Sequence, residues 1–364
     1  MNQTSIPCKI YRGGTSRGIF FKEKDLALYT KEQIDEIVKF SIDAQNPSQV
    51  DGLGGASSHT SKVIVVHDDV PENHHISYTF YQVGIGTNIV NTNGTCGNLM
   101  ASVGLYAAEE GYVQKEALTT VRAFNRNIDK TVEITIDYSN ADYKISGIHF
   151  PAEKLTIRIM DPGGSVTGKT LPLGSTTSIE VNGEEVEVSF IDIINPFVFL
   201  EANTNTGSLN YLDTIRTMLS VEAGIASSIS EAVSIASIPK IAIVEKPKDY
   251  ITHTGTKISA NDYDIYSTMV SMNNFHKSYA GSGLYNLAAS IFLEGTIPNR
   301  IVSPKTLDQE YHTIKIGHPA GISTVNVQLN HETGDIRSVG LDRNARKIMD
   351  GEIYIPNSIL EGTV

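Results

Sequence analysis

Thr95-Cys96-Gly97-Asn98-Leu99-Met100-Ala101-Ser102-Val103-Gly104-Leu105 and Gly281-Ser282-Gly283 running on through Leu287-Ala288-Ala289-Ser290-Ile291 are the stretches on which the fold turns. Both are apolar and rich in small residues, and both read as helices, over Gly97–Glu110 and Gly283–Leu293. A helix that is apolar on most of its faces belongs inside a core. Polar turn residues precede each one, and a glycine placed to cap it follows, Gly111 and Gly295. Two such helices, one in each half of the chain, read as a duplication. The halves also open alike. Ile10–Phe21 is strand, polar turn, strand, and Asp192–Ala202 repeats this with Asn195-Pro196 as the turn.

Around the two helices the sequence alternates like strands: Ser61–His67, Ile76–Val83, Thr131–Asp137, Leu155–Met160, Glu184–Ile193, Lys240–Val244 and Thr324–Leu329. Asn182-Gly183 is a hairpin signal between Ser178–Val181 and Glu184–Ile193. Lys31–Ala44 and Leu209–Leu219 read as amphipathic surface helices. The expected architecture is α+β, with two pseudo-symmetric domains, each a curled, mostly antiparallel sheet around a central apolar helix. The domains are placed at 1–180 and 181–364, with the C-terminal tail free to return to the first. A chain of 364 residues exceeds the roughly 250–300 residues that one core usually supports.

Hydrophobic content of 40% and charged content of 19% fit a globular protein with a full core. No apolar run reaches the length of a membrane span, and the first residues carry no signal-peptide pattern. Two cysteines, Cys8 and Cys96, are too few for a disulfide framework, so a reducing, cytoplasmic home is expected. A formal net charge of −12 repels nucleic acid and anionic membranes, which excludes both as partners. An anionic substrate would then need a local positive site built from backbone amides and a few Lys or Arg.

Cys96 follows Asn93-Gly94-Thr95 and precedes Gly97-Asn98 at the start of the first apolar helix. A thiol there is favoured as thiolate by the helix dipole, and the free amides of Gly97 and Asn98 can hold a carboxylate. The plainer alternative is a buried structural cysteine, the common fate of a lone Cys. Lys62 closes Gly54-Gly55-Ala56-Ser57-Ser58-His59-Thr60-Ser61, just before an apolar strand. Partial desolvation there would suit it to general-base work, against the alternative of an exposed strand-edge lysine. Tyr11-Arg12-Gly13-Gly14-Thr15-Ser16-Arg17-Gly18 is either a carboxylate-binding turn or a hairpin with two solvated arginines. His318-Pro319-Ala320-Gly321 is a polar turn into the last of those strands.

Gly163-Gly164-Ser165-Val166-Thr167-Gly168-Lys169-Thr170 fits the phosphate-loop pattern in full. No helix is expected after it, and without a helix N-terminus the phosphate cradle is lost. The ten histidines show no H-E-x-x-H pair, so no metal site is expected.

Arg12-Gly13-Gly14-Thr15-Ser16, Gly54-Gly55-Ala56 with Ser61-Lys62, Gly94-Thr95-Cys96-Gly97-Asn98 and Gly317-His318-Pro319-Ala320-Gly321 resemble, in order and over nearly the whole chain, the 2-methylaconitate cis–trans isomerase family. That family includes 3-methylitaconate Δ-isomerases and 4-oxalomesaconate tautomerases. The resemblance implies a diaminopimelate-epimerase-like fold with the active site in a cleft between two domains. It places Lys62 and Cys96 on the two proton-transfer positions. Gly14, Thr15, Ser16, Arg17, Gly97, Asn98, Ser282, Gly283, His318 and Gly321 fall on positions lining the carboxylate pocket. Arg17 departs from the lysine more often expected there, so no single member's substrate carries over. Related racemases use one thiol from each half, whereas here the second half has Ser282 and no cysteine. The expected activity is a cofactor-independent, metal-free isomerisation of a small unsaturated di- or tricarboxylate by proton transfer. The competing expectation is a catalytically silent, small-anion-binding member of the same fold. A homodimer is compatible with either.

Overall fold

The computed structural model describes residues 2–92, 94–145, 147–235, 237–271, 274–302, 309–330 and 332–361. Asn93, part of the polar approach to Cys96, lies outside them. The chain falls into two compact units, Met1–Ile159 with Asp342–Val364, and Met160–Leu341. Residues 160–180 therefore group with the second unit, whereas the sequence places them in the first. The reason is local: Gly163 bridges to Ile193, and the amides of Val166 and Thr167 donate to the Asp192 carboxylate at 2.8 and 2.7 Å.

In the first unit β1 (Gln3–Gly13) and β2 (Ser16–Lys22) form a hairpin closed by the pair Gly13 and Ser16. Helix α1 (Lys31–Ile42) starts at a capping box between Thr30 and Gln33. Its buried Ile37, Val38 and Ile42 cluster with Ile6, Cys8, Ile19, Phe21, Val63 and Val65. Strand β3 (Lys62–His67) runs parallel to β2 and antiparallel to β4 (Ile76–Val83), whose end pairs with the short β5 (Val90–Asn91). Helix α2 (Gly97–Glu109) follows, then β6 (Leu118–Asn125), parallel to β4, and the antiparallel β7 (Lys130–Asp137) and β8 (Lys154–Met160). Every residue of α2 from Leu99 to Ala108 is buried, and the helix packs on β1, β2, β6 and β7.

The second unit opens with β9 (Thr177–Val181) and β10 (Glu184–Ile193). The turn between them has Asn182 at φ 55° and Gly183 at φ 82°, the two left-handed residues of a tight hairpin. Strand β11 (Asn195–Glu201) folds straight back on β10. The reversal lies at Ile194, φ 64°, and Asn195-Pro196, expected as the turn, already belong to the strand. Ile194 is only 1% exposed, and burial of its side chain offsets the cost of a left-handed β-branched residue. Next come α3 (Leu209–Glu222), α4 (Ile229–Ser234), β12 (Lys240–Glu245), the small pair β13 (Tyr250–Ile251) and β14 (Lys257–Ile258), β15 (Ile265–Ser271) and β16 (Asn274–Phe275). Helix α5 (Gly281–Ser290) precedes α6 (Ile297–Ile301), β17 (Tyr311–His318), β18 (Gly321–Leu329) and β19 (Ile336–Arg343). Strand β12 is parallel to β11 and β17 to β15. Helix α5 packs on β10, β11, β17 and β18, while Leu212, Ile215 and Leu219 of α3 cover Val188, Phe190, Val198 and Ile241.

The chain then returns to the first unit. Strand β20 (Ala345–Pro356) pairs antiparallel with β1 along its length, and α7 (Asn357–Leu360) lies against α1. Among the described residues no helix is long and apolar enough to cross a membrane.

Candidate active site

The hairpin of β1 and β2 sits directly on the first turn of α2. A Cβ on Gly13 would come within 2.3 Å of the Asn98 carbonyl oxygen, and one on Gly14 within 2.3 Å of Asn98 Oδ1. Gly14 also holds φ 52°, so both glycines are required by contact and the second by its backbone as well. Asn344, fully buried, fixes the turn from the returning tail. Its carbonyl oxygen accepts from the Gly14 amide at 2.9 Å, and its Oδ1 accepts from Arg12 Nη1 at 2.8 Å. The resulting arrangement gathers Gly14, Thr15, Ser16, Cys96, Gly97 and Asn98.

Cys96 is the N-cap of α2, in extended conformation, and makes no capping bond through its side chain. Its Sγ lies 3.9 Å from the hydroxyl of Ser16, which is 3% exposed. The first amides of the helix, Gly97 and Asn98, have no intrahelical acceptor. The approach to Cys96 is pinned from β6 and the turn after it. Asn125 Nδ2 donates to Thr95 Oγ1 at 2.7 Å, and Asn127 Nδ2 to the Thr92 carbonyl at 2.8 Å. Cys96 is half-exposed, whereas Cys8 is buried and burial pushes its thiol up to about 11.

Lys62 opens β3 and is 7% exposed, so it is no exposed edge lysine. Its Nζ donates to Gln82 Oε1 and lies 5.0 Å from the centroid of the Phe80 ring. The loop before it is braced. Buried Gln49 accepts through Oε1 from the amides of Gly55 and Ala56 and from the Ser61 hydroxyl. Arg17 Nη2 donates to the carbonyls of Gly54 at 3.0 Å and Leu53 at 3.3 Å. The contacts of Arg17 thus face the protein backbone, and those of Arg12 go to Gly14 and Asn344.

Two side chains that the sequence does not single out touch these candidate residues. Arg343 Nε donates to Asn98 Oδ1 at 2.8 Å, and Asn98 Nδ2 donates to Thr15 Oγ1 at 3.1 Å. Among the described residues no carboxylate pairs with the Arg343 guanidinium, whose Nη1 donates to the Asp342 carbonyl. Gln82 stands opposite Lys62 in the register of β3 and β4.

In the second unit Ser282 and Gly283 lie in the first turn of α5, after the N-cap Ala280. A Cβ on Gly283 would come within 2.7 Å of the Phe197 ring and 2.8 Å of Tyr279. His318 and Gly321 close the hairpin of β17 and β18, with the His318 and Tyr279 ring centroids 6.2 Å apart. His318 is 4% exposed, and its Nδ1 accepts from the Ala320 amide at 3.3 Å, which leaves the proton on Nε2, 2.9 Å from Ser323 Oγ. Burial, with the nearby His276 and His253, lowers its pKa to about 4. It is a neutral, doubly held imidazole at physiological pH.

The loop over 163–170 is not a phosphate cradle. Its amides at Val166 and Thr167 and the Thr167 hydroxyl are taken by Asp192 Oδ2, and no helix follows before β9. Among the described residues no group of three or more His, Cys, Asp or Glu is placed to hold a metal ion.

A 3-methylitaconate isomerase of Eubacterium barkeri is 33% identical, with 99% of each chain covered. The crystal structure of a methylitaconate-delta-isomerase superposes with a TM-score of 0.86 at 31% identity, over 99% of this chain and 98% of that one. A hydroxyproline epimerase from Agrobacterium vitis shares the fold alone, with a TM-score of 0.50 at 10% identity, over 99% and 95% of the two chains. The family described as PrpF protein matches residues 3–356, and the chain belongs to that family.

Proposed function

We propose that the chain is a cofactor-independent isomerase that moves a proton, and with it a double bond, in a small unsaturated di- or tricarboxylate of the methylitaconate, 2-methylaconitate or 4-oxalomesaconate type. Lys62 and Cys96 are its acid–base pair. The observation that carries the assignment is the uncapped Cys96 at the start of α2, beside free helix amides and in the same unit as a buried lysine with no carboxylate partner among the described residues. A substrate carboxylate on the amides of Gly97 and Asn98, with Thr15, Ser16 and the Arg343 guanidinium around it, localises negative charge as a proton leaves the allylic carbon. The dienolate then takes a proton at the other end of the conjugated system. If one group takes the proton and the other gives it, the pair is reset through solvent, and the product carries solvent hydrogen. Arg17 acts as a brace for the 53–54 backbone, and Arg343 supplies the cation at the helix start.

The two units are pseudo-symmetric, each a curled sheet around α2 or α5. Matching registers support this. Gly18 precedes the pair Ile19–Val63 and so lies beside Lys62, while Phe197 pairs with Lys240 at the corresponding strand starts. The packing is reciprocal. Gly18 leaves room for Leu99, with 3.0 Å from its would-be Cβ to Leu99 Cδ1, whereas Phe197 fills the room left by Gly283. In the second unit Ser282, Gly283 and the turn from His318 to Gly321 form the corresponding carboxylate-binding surface, without a thiol, and the His318 ring serves by holding that turn through Ala320.

Incubation with each of the three candidate substrates in D2O, followed by ultraviolet absorbance and mass spectrometry, tests the function. Isomerisation of one of them with deuterium on carbon is expected. Binding without label would identify a silent anion-binding protein instead.

A further inference from the structure

Lys62 has a neutral partner, and the partner's own orientation is fixed. Gln82 Nε2 donates to the carbonyl oxygens of Ser61 at 2.9 Å and Ser58 at 3.2 Å. Carbonyls only accept, so the amide nitrogen must face them and Oε1 must face Lys62. The register pair between Lys62 and Gln82 sets the approach, and Gln82 also pairs with Asn91, near the start of the segment that leads to Cys96. The Gln82 backbone therefore lies between the strand carrying the lysine and the strand feeding the cysteine, with its amide turned to the lysine side.

We propose that Gln82 is a positioning residue for proton transfer: its amide oxygen holds one N–H of Lys62 so that the remaining face of the nitrogen, with its lone pair when neutral, is presented to the substrate carbon. The inference rests on Lys62 being a proton-transfer group. An amide oxygen accepts an N–H from an amine and from an ammonium alike, so it orients the nitrogen through both halves of the cycle. A carboxylate at the same place would favour the ammonium, and an apolar side chain would leave the amine free to rotate over the Phe80 ring.

The test uses Gln82→Met and Gln82→Glu in the full chain, with Lys62→Ala alongside and thermal melts for each. Gln82→Met is expected to lower kcat ten- to a hundredfold with KM changed less than threefold. Gln82→Glu, which keeps an acceptor for Lys62 but gives up the donations to Ser61 and Ser58, is expected to move the pH–rate profile toward higher pH. The double variant with Lys62→Ala is expected to be no slower than Lys62→Ala alone. If Gln82→Met fails to fold, the Gln82→Glu profile decides. A wild-type kcat in Gln82→Met, or an unmoved profile in Gln82→Glu, overturns the proposal while Lys62→Ala remains inactive. Full activity in Lys62→Ala would instead remove the lysine itself from the mechanism.

Discussion

The two cysteines stand in opposite settings within one side-chain type. Cys8 lies in the core under α1, 3% exposed. Cys96 stands half-exposed at a helix start with its side chain uncommitted to capping. Cys96→Ser is therefore expected to lower kcat by about 10²–10⁴-fold, the usual contribution of a proton-transfer group, with an unchanged melting curve. Cys8→Ser should leave kcat within about twofold and cost about 1–3 kcal/mol of stability by burying a hydroxyl. Steady-state kinetics with calorimetry on both variants checks this, and equal rates in Cys96→Ser and wild type would remove Cys96 from the mechanism. Lys62→Arg keeps the charge but cannot give up its proton. It is expected to be as inactive as Lys62→Ala, and recovery of activity with arginine would recast Lys62 as a carboxylate clamp. The sequence singles out both as candidates because glycine and small polar residues frame them. Gln82 and Arg343 were not. Gln82 meets Lys62 only through a strand register that no local pattern reveals, and Arg343 reaches Asn98 across 245 positions of sequence.

At the scale of elements, alternation locates most of the strands and one-sided periodicity the two surface helices, α1 and α3, while the two central helices are legible because they are apolar nearly all round. The boundaries moved where contacts outside the element decide them. Helix α5 begins at Gly281, two residues before the expected start, and ends at Ser290. The long alternating strand β20 was not anticipated, since nothing in its own sequence says that it pairs with β1. The contact between hairpin and helix is the element-level feature that brings the candidate residues Ser16 and Cys96 together, and it rests on glycine. Gly13→Ala would place a methyl carbon 2.3 Å from a backbone oxygen of α2, where no rotamer can relieve it. The hairpin must lift from the helix start, taking Ser16 from Cys96. Gly94→Ala meets nothing within 4 Å. Loss of activity together with a lowered melting temperature is expected for Gly13→Ala, and near-wild-type behaviour for Gly94→Ala. A fully active Gly13→Ala would show that the hairpin need not touch α2.

For the whole molecule, a net charge of −12 sets the background against which local charge is placed. Against that background burial still disfavours the charged form of certain bases. His318 is the clearest case, with a pKa lowered to about 4 chiefly by burial. The ordinary value is near 6.5. Between these values the unfolded chain binds a proton that the folded chain does not, so stability is full above about pH 6.5 and falls as pH drops toward 4. A difference of that size corresponds to about 3 kcal/mol. Lys240 acts in the same direction at the other end. Desolvation lowers its pKa to about 8 from 10.5, so stability rises as pH climbs from about 8 to 10.5. Urea unfolding of wild type and His318→Gln at a series of pH values isolates the histidine. The wild type is expected to lose about 3 kcal/mol more than the variant between pH 7 and pH 4, with the loss centred in that window. Because both ring nitrogens are already engaged, with Ala320 and Ser323, the same residue should contribute no limb to the pH dependence of kcat/KM near 6.5. Parallel unfolding profiles for the two proteins would mean that His318 titrates like an exposed histidine, and the neutral, doubly held imidazole would have to be abandoned.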